Sequence, residues 1–257
     1  MMRTGMFLPW VVLASWLANV AQGIPVAGSH GPRLPLPRRT VAGVSVVDTP
    51  LVQAAQQYMR DHSNDGMYRH VMRTWLFGTL MVSNNATLAG LVDAEVQAVS
   101  LLLHDLGADR SPGSPLISPD RRFEVDGAIA ARDFIRDHRD GRRWDKHRVQ
   151  LVWDAIAFHT EQKYALYKEP DVAVVSTGVM MDFVGPNSGV TSIQYAAVVN
   201  EFPNDDLRDN VRDLFTWLCS TKPISTYDTF QQAFGERFVA NYSAIGNRTI
   251  DLVFGPE

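Results

Sequence analysis

The chain has 257 residues, of which 46% are hydrophobic and 20% charged, with a net charge of −4 and a single cysteine. No domain-wide basic excess exists to pair with phosphates, so composition gives no support for nucleic acid as the partner. Cys219 alone excludes an intramolecular disulfide framework and a cysteine-based zinc site, leaving histidine and carboxylate side chains to hold any metal.

Arg3 is the only charge before the apolar run from Met6 to Leu17, and Ala21-Gln22-Gly23 places small residues where a signal peptidase reads. This pattern predicts a secretory signal peptide over residues 1–23, with an uncleaved anchor as the other reading. No later stretch approaches the ~20 apolar residues a spanning helix needs, so no stable membrane span is expected once the signal is removed. Sequons at Asn85, Asn241 and Asn247 fit glycosylation of a secreted protein. Residues 24–48, with Gly, Pro and Arg and no periodicity, read as a linker or mobile arm. Within it, Arg38-Arg39 is either a solvated basic pair or a processing site.

Thr49-Pro50 opens the first helix as N-cap and first helical residue, and Leu51, Ala54, Ala55, Tyr58 and Met59 form its apolar stripe. A second helix over about 67–81 places His70, Arg73, Thr74 and Phe77 on one face, a polar trio where packing is expected. Asp93 caps a third helix, which runs through Leu101-Leu102-Leu103 into His104-Asp105 and stops at Gly107. The Ser/Pro/Gly-rich stretch 108–121 is a loop, either a substrate lid or a solvated connector. The fourth helix, about 122–138, turns Phe123, Gly127, Ala130 and Phe134 to one side. Glu124 in its first turn is explained by the helix dipole or by a role near the site. Mixed charges over 137–148 indicate a solvated turn. The fifth helix, about 145–159, ends with His159 on the stripe of Val152, Ala155 and Ile156. The sixth begins at Pro170 and delivers Asp182 on the stripe of Val172, Val175 and Val179. Two more amphipathic helices follow at about 207–219 and 226–240, with Phe215, Trp217, Phe230 and Phe234 read as core. No alternating strand pattern is found, so the chain is expected to be all-α and to form one domain over 49–245, with a C-terminal tail at 246–257.

Asp is among the residues least often buried, and an unpaired buried charge is costly. A divalent cation removes the objection, because imidazole and carboxylate are both good ligands. His104-Asp105 therefore reads as half of a metal site, with His70 and Asp182 as candidates for the rest.

That order of residues resembles the signature of the HD-domain superfamily of metal-dependent enzymes. The longer motifs His70-Val71-Met72-Arg73, Leu102-Leu103-His104-Asp105-Leu106-Gly107, Phe123-Glu124-Val125-Asp126-Gly127-Ala128, Ala155-Ile156-Ala157-Phe158-His159-Thr160 and Met181-Asp182-Phe183-Val184-Gly185 resemble its cyanamide hydratase-like branch, over roughly residues 50–240. So do Glu201-Phe202-Pro203 and Thr226-Tyr227-Asp228-Thr229-Phe230. The resemblance implies an HD-domain helical bundle with one divalent metal, zinc or iron, held by His70, His104, Asp105 and Asp182. It implies that His159 lines the pocket, and that Glu124, Thr160 and Arg73 lie near the substrate or the ligands. Such a cation lowers the pKa of bound water, and the resulting hydroxide adds to a nitrile- or cyanamide-like carbon of a small molecule, with Asp105 and His159 handling protons. Two alternatives stand beside this reading: a phosphohydrolase, which in its dinuclear form would need further histidines such as His138, His147 or His159, and a secreted non-catalytic protein of the same fold.

Overall fold

The structure is a computed structural model that describes residues 35–256. The signal-peptide segment and the start of the 24–48 segment lie outside the described residues. Twelve α-helices and one two-stranded sheet make up the described chain, so the all-α expectation holds, with a minor exception at the start.

That exception corrects the reading of residues 24–48. Strands β1 (Arg38–Val41) and β2 (Val44–Val47) pair antiparallel, with Arg38 opposite Val47 and Val41 opposite Val44. Ala42 and Gly43 form the connection, with φ of 48° and 78°, the left-handed pair that a two-residue hairpin turn requires. Val44, Val46 and Val47 are buried. This part of the segment is thus a packed hairpin rather than a mobile arm. Four-residue strands are too short to show a convincing period of two, which is why the sequence conceals them.

Helix α1 (Pro50–Asp61) starts as expected, Thr49 accepting from the Val52 N–H. Helix α2 (Asp65–Ser83) carries His70 and Arg73. A short α3 (Ala86–Leu91) is capped by the Asn85 side chain, which accepts from Thr87 and Leu88 N–H groups. Helix α4 (Ala94–Leu103) is capped by Asp93 and buried on every side from Glu95 to Leu103, packing against α1 and α2 and, further along the chain, α6 (Lys146–Ala157) and α8 (Pro170–Val184). A helix buried all round belongs at the centre of a core, and α4 occupies that place.

Gly107 does not end α4, which stops at Leu103. It sits instead in a 3₁₀ turn, Leu106–Ala108. A Cβ at Gly107 would lie 1.8 Å from the Phe123 carbonyl oxygen, so only glycine lets this turn press against the start of α5 (Phe123–Asp137). The loop that follows is tied down away from the His-Asp pair: Asp109 accepts from Ser111 N–H and the Ser114 hydroxyl and bonds His62, and Ser118 donates to Asp126. Helix α6 starts at the Asp145 cap. A single turn, α7 (Gln162–Ala165), leads to α8.

Helices α2 and α8 lie close. A Cβ at Gly178 would stand 3.2 Å from the Thr74 carbonyl oxygen and 3.3 Å from the Gly78 Cα, so their backbones nearly touch there. Helix α9 (Ser192–Glu201) follows from a capping box between Thr191 and Gln194. Helix α10 (Leu207–Thr221), a 3₁₀ turn (Pro223–Thr226) and α11 (Gln232–Phe238) carry a second, smaller apolar cluster, in which Leu214, Phe215 and Leu218 pack with Ala108 and Phe123. A short α12 (Thr249–Phe254) lies in the segment read as a tail. Among the described residues, no helix is long and apolar enough to cross a membrane. Asn241 and Asn247 are exposed and Asn85 is half-buried.

One buried carboxylate gives a pH test of the fold. Burial pushes the Asp171 carboxyl up to about 6, against the opposing bond it accepts from the Asp93 N–H at 2.8 Å. Because its folded pKa is raised, its stabilising contribution is complete below about pH 4 and is lost as pH rises through about 6. Asp171→Asn keeps an acceptor there without the charge. The stability of the variant minus that of the wild type is expected to grow by up to about 2–3 kcal/mol between pH 4 and pH 7.5, as read by urea unfolding. A difference independent of pH would refute this reading.

Candidate metal centre

Four elements deliver the candidate residues. His70 projects from α2. His104 and Asp105 lie at the C-terminal end of α4, and His159 sits two residues past the end of α6. Asp182 comes from the last turn of α8. All five are buried, His104 completely.

The ring nitrogens are fixed one by one. The Nδ1 of His104 bonds the Leu101 carbonyl oxygen at 2.8 Å, and that of His159 bonds the Ile156 carbonyl oxygen at 2.7 Å. His70 Nδ1 bonds Asp182 Oδ2 at 2.7 Å. A carbonyl or carboxylate oxygen can only accept, so each Nδ1 carries its hydrogen and each neutral ring presents a bare Nε2 lone pair.

Those lone pairs converge. His70 Nε2 and His104 Nε2 are 3.4 Å apart, and the Asp105 Oδ2 lies 3.2 Å from His104 Nε2 and 3.6 Å from His70 Nε2. With both Nδ1 hydrogens committed elsewhere, no proton on a neutral ring bridges the two nitrogens. Two lone pairs and a carboxylate oxygen aimed at one another repel unless a positive charge sits among them. A nearly equilateral triangle with edges of about 3.4 Å has its centre about 2.0 Å from each corner, the Zn–N and Zn–O distance. The donor set therefore fits a divalent cation. His70, His104 and Asp105 form one group of His and carboxylate side chains, among the described residues, that can hold a metal ion.

The fourth expected ligand is placed differently. Asp182 accepts from Arg73 Nε through Oδ1 and from Arg73 Nη2 through Oδ2, both at 2.7 Å, besides holding His70. It fixes the orientation of the His70 imidazole and lies outside the triangle of donor atoms. Arg73 also donates from Nη1 to the carbonyl oxygens of Phe202 and Pro203, so every nitrogen of its guanidinium is engaged and the side chain is completely buried.

Electrostatics agree with this arrangement. Burial pushes the Asp105 carboxyl up, whereas positive charge at the surrounding His104, His159 and His70 rings would outweigh it and hold the group well below the usual carboxylate range, the response of an anion that needs a cation beside it. At Asp182, burial is likewise opposed and overcome, here by His70 and Arg73. His159 Nε2 stands 3.5 Å from Asp105 Oδ1, on the side of the carboxylate away from the triangle.

Glu124 is fully buried, and its role is local bonding more than helix-dipole complementarity. Its Oε1 accepts from the Thr160 hydroxyl at 2.6 Å, from Arg122 at 2.5 Å and from Gln231 at 3.4 Å. It thereby ties the residue after His159 to the segment before α11. His138 and His147 stay outside the cluster: His138 borders a separate surface groove and His147 is exposed.

The centre opens into a cavity of about 360 Å³ whose wall includes His70, Asp105, His159 and Thr160. Apart from Asn210 and Gly66, the rest of its lining is apolar, and it contains no lysine or arginine. No residue of the 108–121 loop lines it, so that loop is not a lid over this site. Phe215, Phe230 and Phe234, read from sequence as core, are wall residues of the cavity. Their amphipathic spacing is the same for a core and for an apolar pocket, so sequence offers no signal to separate the two. No protein-family model matches the chain, and no curated protein matches it.

Proposed function

We propose that the protein is a metal-dependent enzyme of HD-domain type that adds water to a small molecule bearing a nitrile- or cyanamide-like carbon. The observation that carries this reading is the convergence of three oriented donor atoms, His70 Nε2, His104 Nε2 and Asp105 Oδ2, at the inner end of a cavity. Zinc or iron suits two imidazoles and a carboxylate, and a cation held there supplies an acidified water and a point of positive charge.

The chain's own groups account for the proton traffic. Hydration of R–C≡N first forms one C–O bond and breaks one C–N π bond, giving the imidic acid R–C(OH)=NH; the remaining O–H proton then moves to nitrogen as the second C–N π bond is replaced by the C=O π bond, giving the amide. His159 has a bare Nε2 facing the cavity, and a proton taken there is stabilised by Asp105 Oδ1 at 3.5 Å. His159 thus accepts the water proton and returns it to the substrate nitrogen as negative charge builds up on it. Asp182 and Arg73 keep the His70 ring at a fixed angle throughout. The phosphohydrolase alternative loses support because Arg73, the inward cation it would need, is spent on Asp182 and two carbonyls.

The test is metal content together with one variant. About one zinc or iron per chain is expected in the purified protein. His159→Asn should retain that metal while kcat for nitrile or cyanamide hydration falls by about 10²–10⁴. Protein without metal under all loading conditions, or unchanged turnover in His159→Asn, would overturn the reading.

A further inference from the structure

The walls of the cavity say more about the substrate than the metal ligands do. A line of aromatic rings runs outward from the proton-handling imidazole. The Phe123 ring lies 5.5 Å from His159, Phe215 lies 6.0 Å from Phe123, and Phe230 and Phe234 lie 5.0 and 4.8 Å from Phe215. Across from them, Phe183 stands 5.5 Å from the His70 ring. Phe183 and Phe230 are 47% and 40% exposed, so both present bare aromatic surface to solvent at the cavity edge. Every ionisable group in the lining, His70, Asp105 and His159, belongs to the metal end.

A molecule of three heavy atoms, such as cyanamide, leaves most of this space to water held against apolar walls. The cavity of about 360 Å³ corresponds to the volume of roughly a dozen waters and falls in the usual range for ligand pockets. An anionic body would leave water for a wall that offers no lysine or arginine.

Building on the water-adding reading above, we propose that the substrate is an uncharged molecule with an aromatic body, lodged among Phe123, Phe215, Phe230 and Phe234 with its reactive carbon at Asp105 and His159. Aromatic rings pack edge-to-face or offset at the centroid spacings this wall already shows, so a further ring extends an existing arrangement. The Asn210 amide, on the α10 side of the wall, supplies a polar contact for an uncharged substituent.

The test pairs turnover with binding. Zinc-loaded full-length protein is expected to hydrate phenylcyanamide to phenylurea with kcat/KM at least tenfold above that for cyanamide, and to leave p-nitrophenyl phosphate intact. Phenylurea is expected to bind the protein in titration calorimetry, and Phe230→Ala, a partly exposed position, to weaken that binding at least tenfold. Phe215→Leu, which keeps an apolar side chain of similar length, should weaken it less than Phe230→Ala. Stoichiometric zinc with cyanamide as the better substrate, or with no phenylurea binding, would overturn the aromatic-substrate proposal and leave the metal reading intact. Phenylurea binding that Phe230→Ala weakens, in a protein that takes up no metal, would support the aromatic site and overturn the water-adding chemistry alone.

Discussion

Asp105→Ala is expected to empty the metal centre and to lower turnover by at least about a thousandfold. The expectation follows from the position of the carboxylate, which supplies one corner of the ligand triangle through Oδ2 and faces His159 through Oδ1. Alanine leaves the two imidazoles of the triangle, too few for a tight divalent site. A metal ion acting on water or on a developing charge is worth several kcal/mol, and each 1.4 kcal/mol or so is a factor of ten in rate. Loss of the partner that stabilises a protonated His159 adds to the deficit. Metal per chain after dialysis, measured beside wild type and His159→Asn, separates the cases: the first variant should lose the ion and the second should keep it. A chelator should lower the Tm of wild type and leave Asp105→Ala unchanged, since a ligand at about a thousand times its Kd adds about 4 kcal/mol to the folded state. Retention of stoichiometric metal by Asp105→Ala would show that the triangle is not the site.

Asp182→Ala is expected to be the most destabilising change at the centre. The side chain neutralises Arg73, which is completely buried and has no other carboxylate partner among its bonds. Removing one member of a buried pair strands the other, at a cost of about 3–5 kcal/mol. For a chain of this size that corresponds to a fall in Tm of roughly 10 °C. The same variant frees the His70 ring, and loss of such an orienting carboxylate typically weakens metal affinity by about 10- to 100-fold. A double variant, Arg73→Met with Asp182→Leu, removes the stranded charge and should recover much of the stability without recovering the affinity. Denaturant unfolding and metal titration of the three proteins check both halves. Equal stability of Asp182→Ala and the double variant would contradict the account of Arg73.

Much of the scaffold is legible because its signals are local. Thr49-Pro50, Asp93, Asp145 and Pro170 mark helix starts by side-chain capping or a preset φ, and each lies at the observed boundary. The inward direction of His70, His104 and Asp182 is legible from helical periodicity, and all three are buried. What periodicity does not reveal is which polar side chain meets which. Asp182 reads as a ligand by position, yet Arg73 on α2 claims it through a contact between residues 109 apart in the chain. Gly107 likewise reads as a helix stop, whereas its actual role depends on the carbonyl of Phe123, in a different element. Helix α9, absent from the sequence reading, begins at a capping box between Thr191 and Gln194.

The near-contact of α2 and α8 at Gly78 and Gly178 works as the closed end of a pair of tongs. The gripping end lies one to two turns away, where His70 and Arg73 meet Asp182 at 2.7 Å. A side chain at Gly178 acts as a wedge between the two backbones, and a wedge of a few tenths of an ångström is enough to strain bonds already at their optimum length. The grip of Arg73 and Asp182 on the His70 ring thus depends on a position that carries no chemical group at all. Substitutions there would detune the centre while every ligand remained in the sequence, so an intact set of histidines and aspartates is not by itself a sign of a working site.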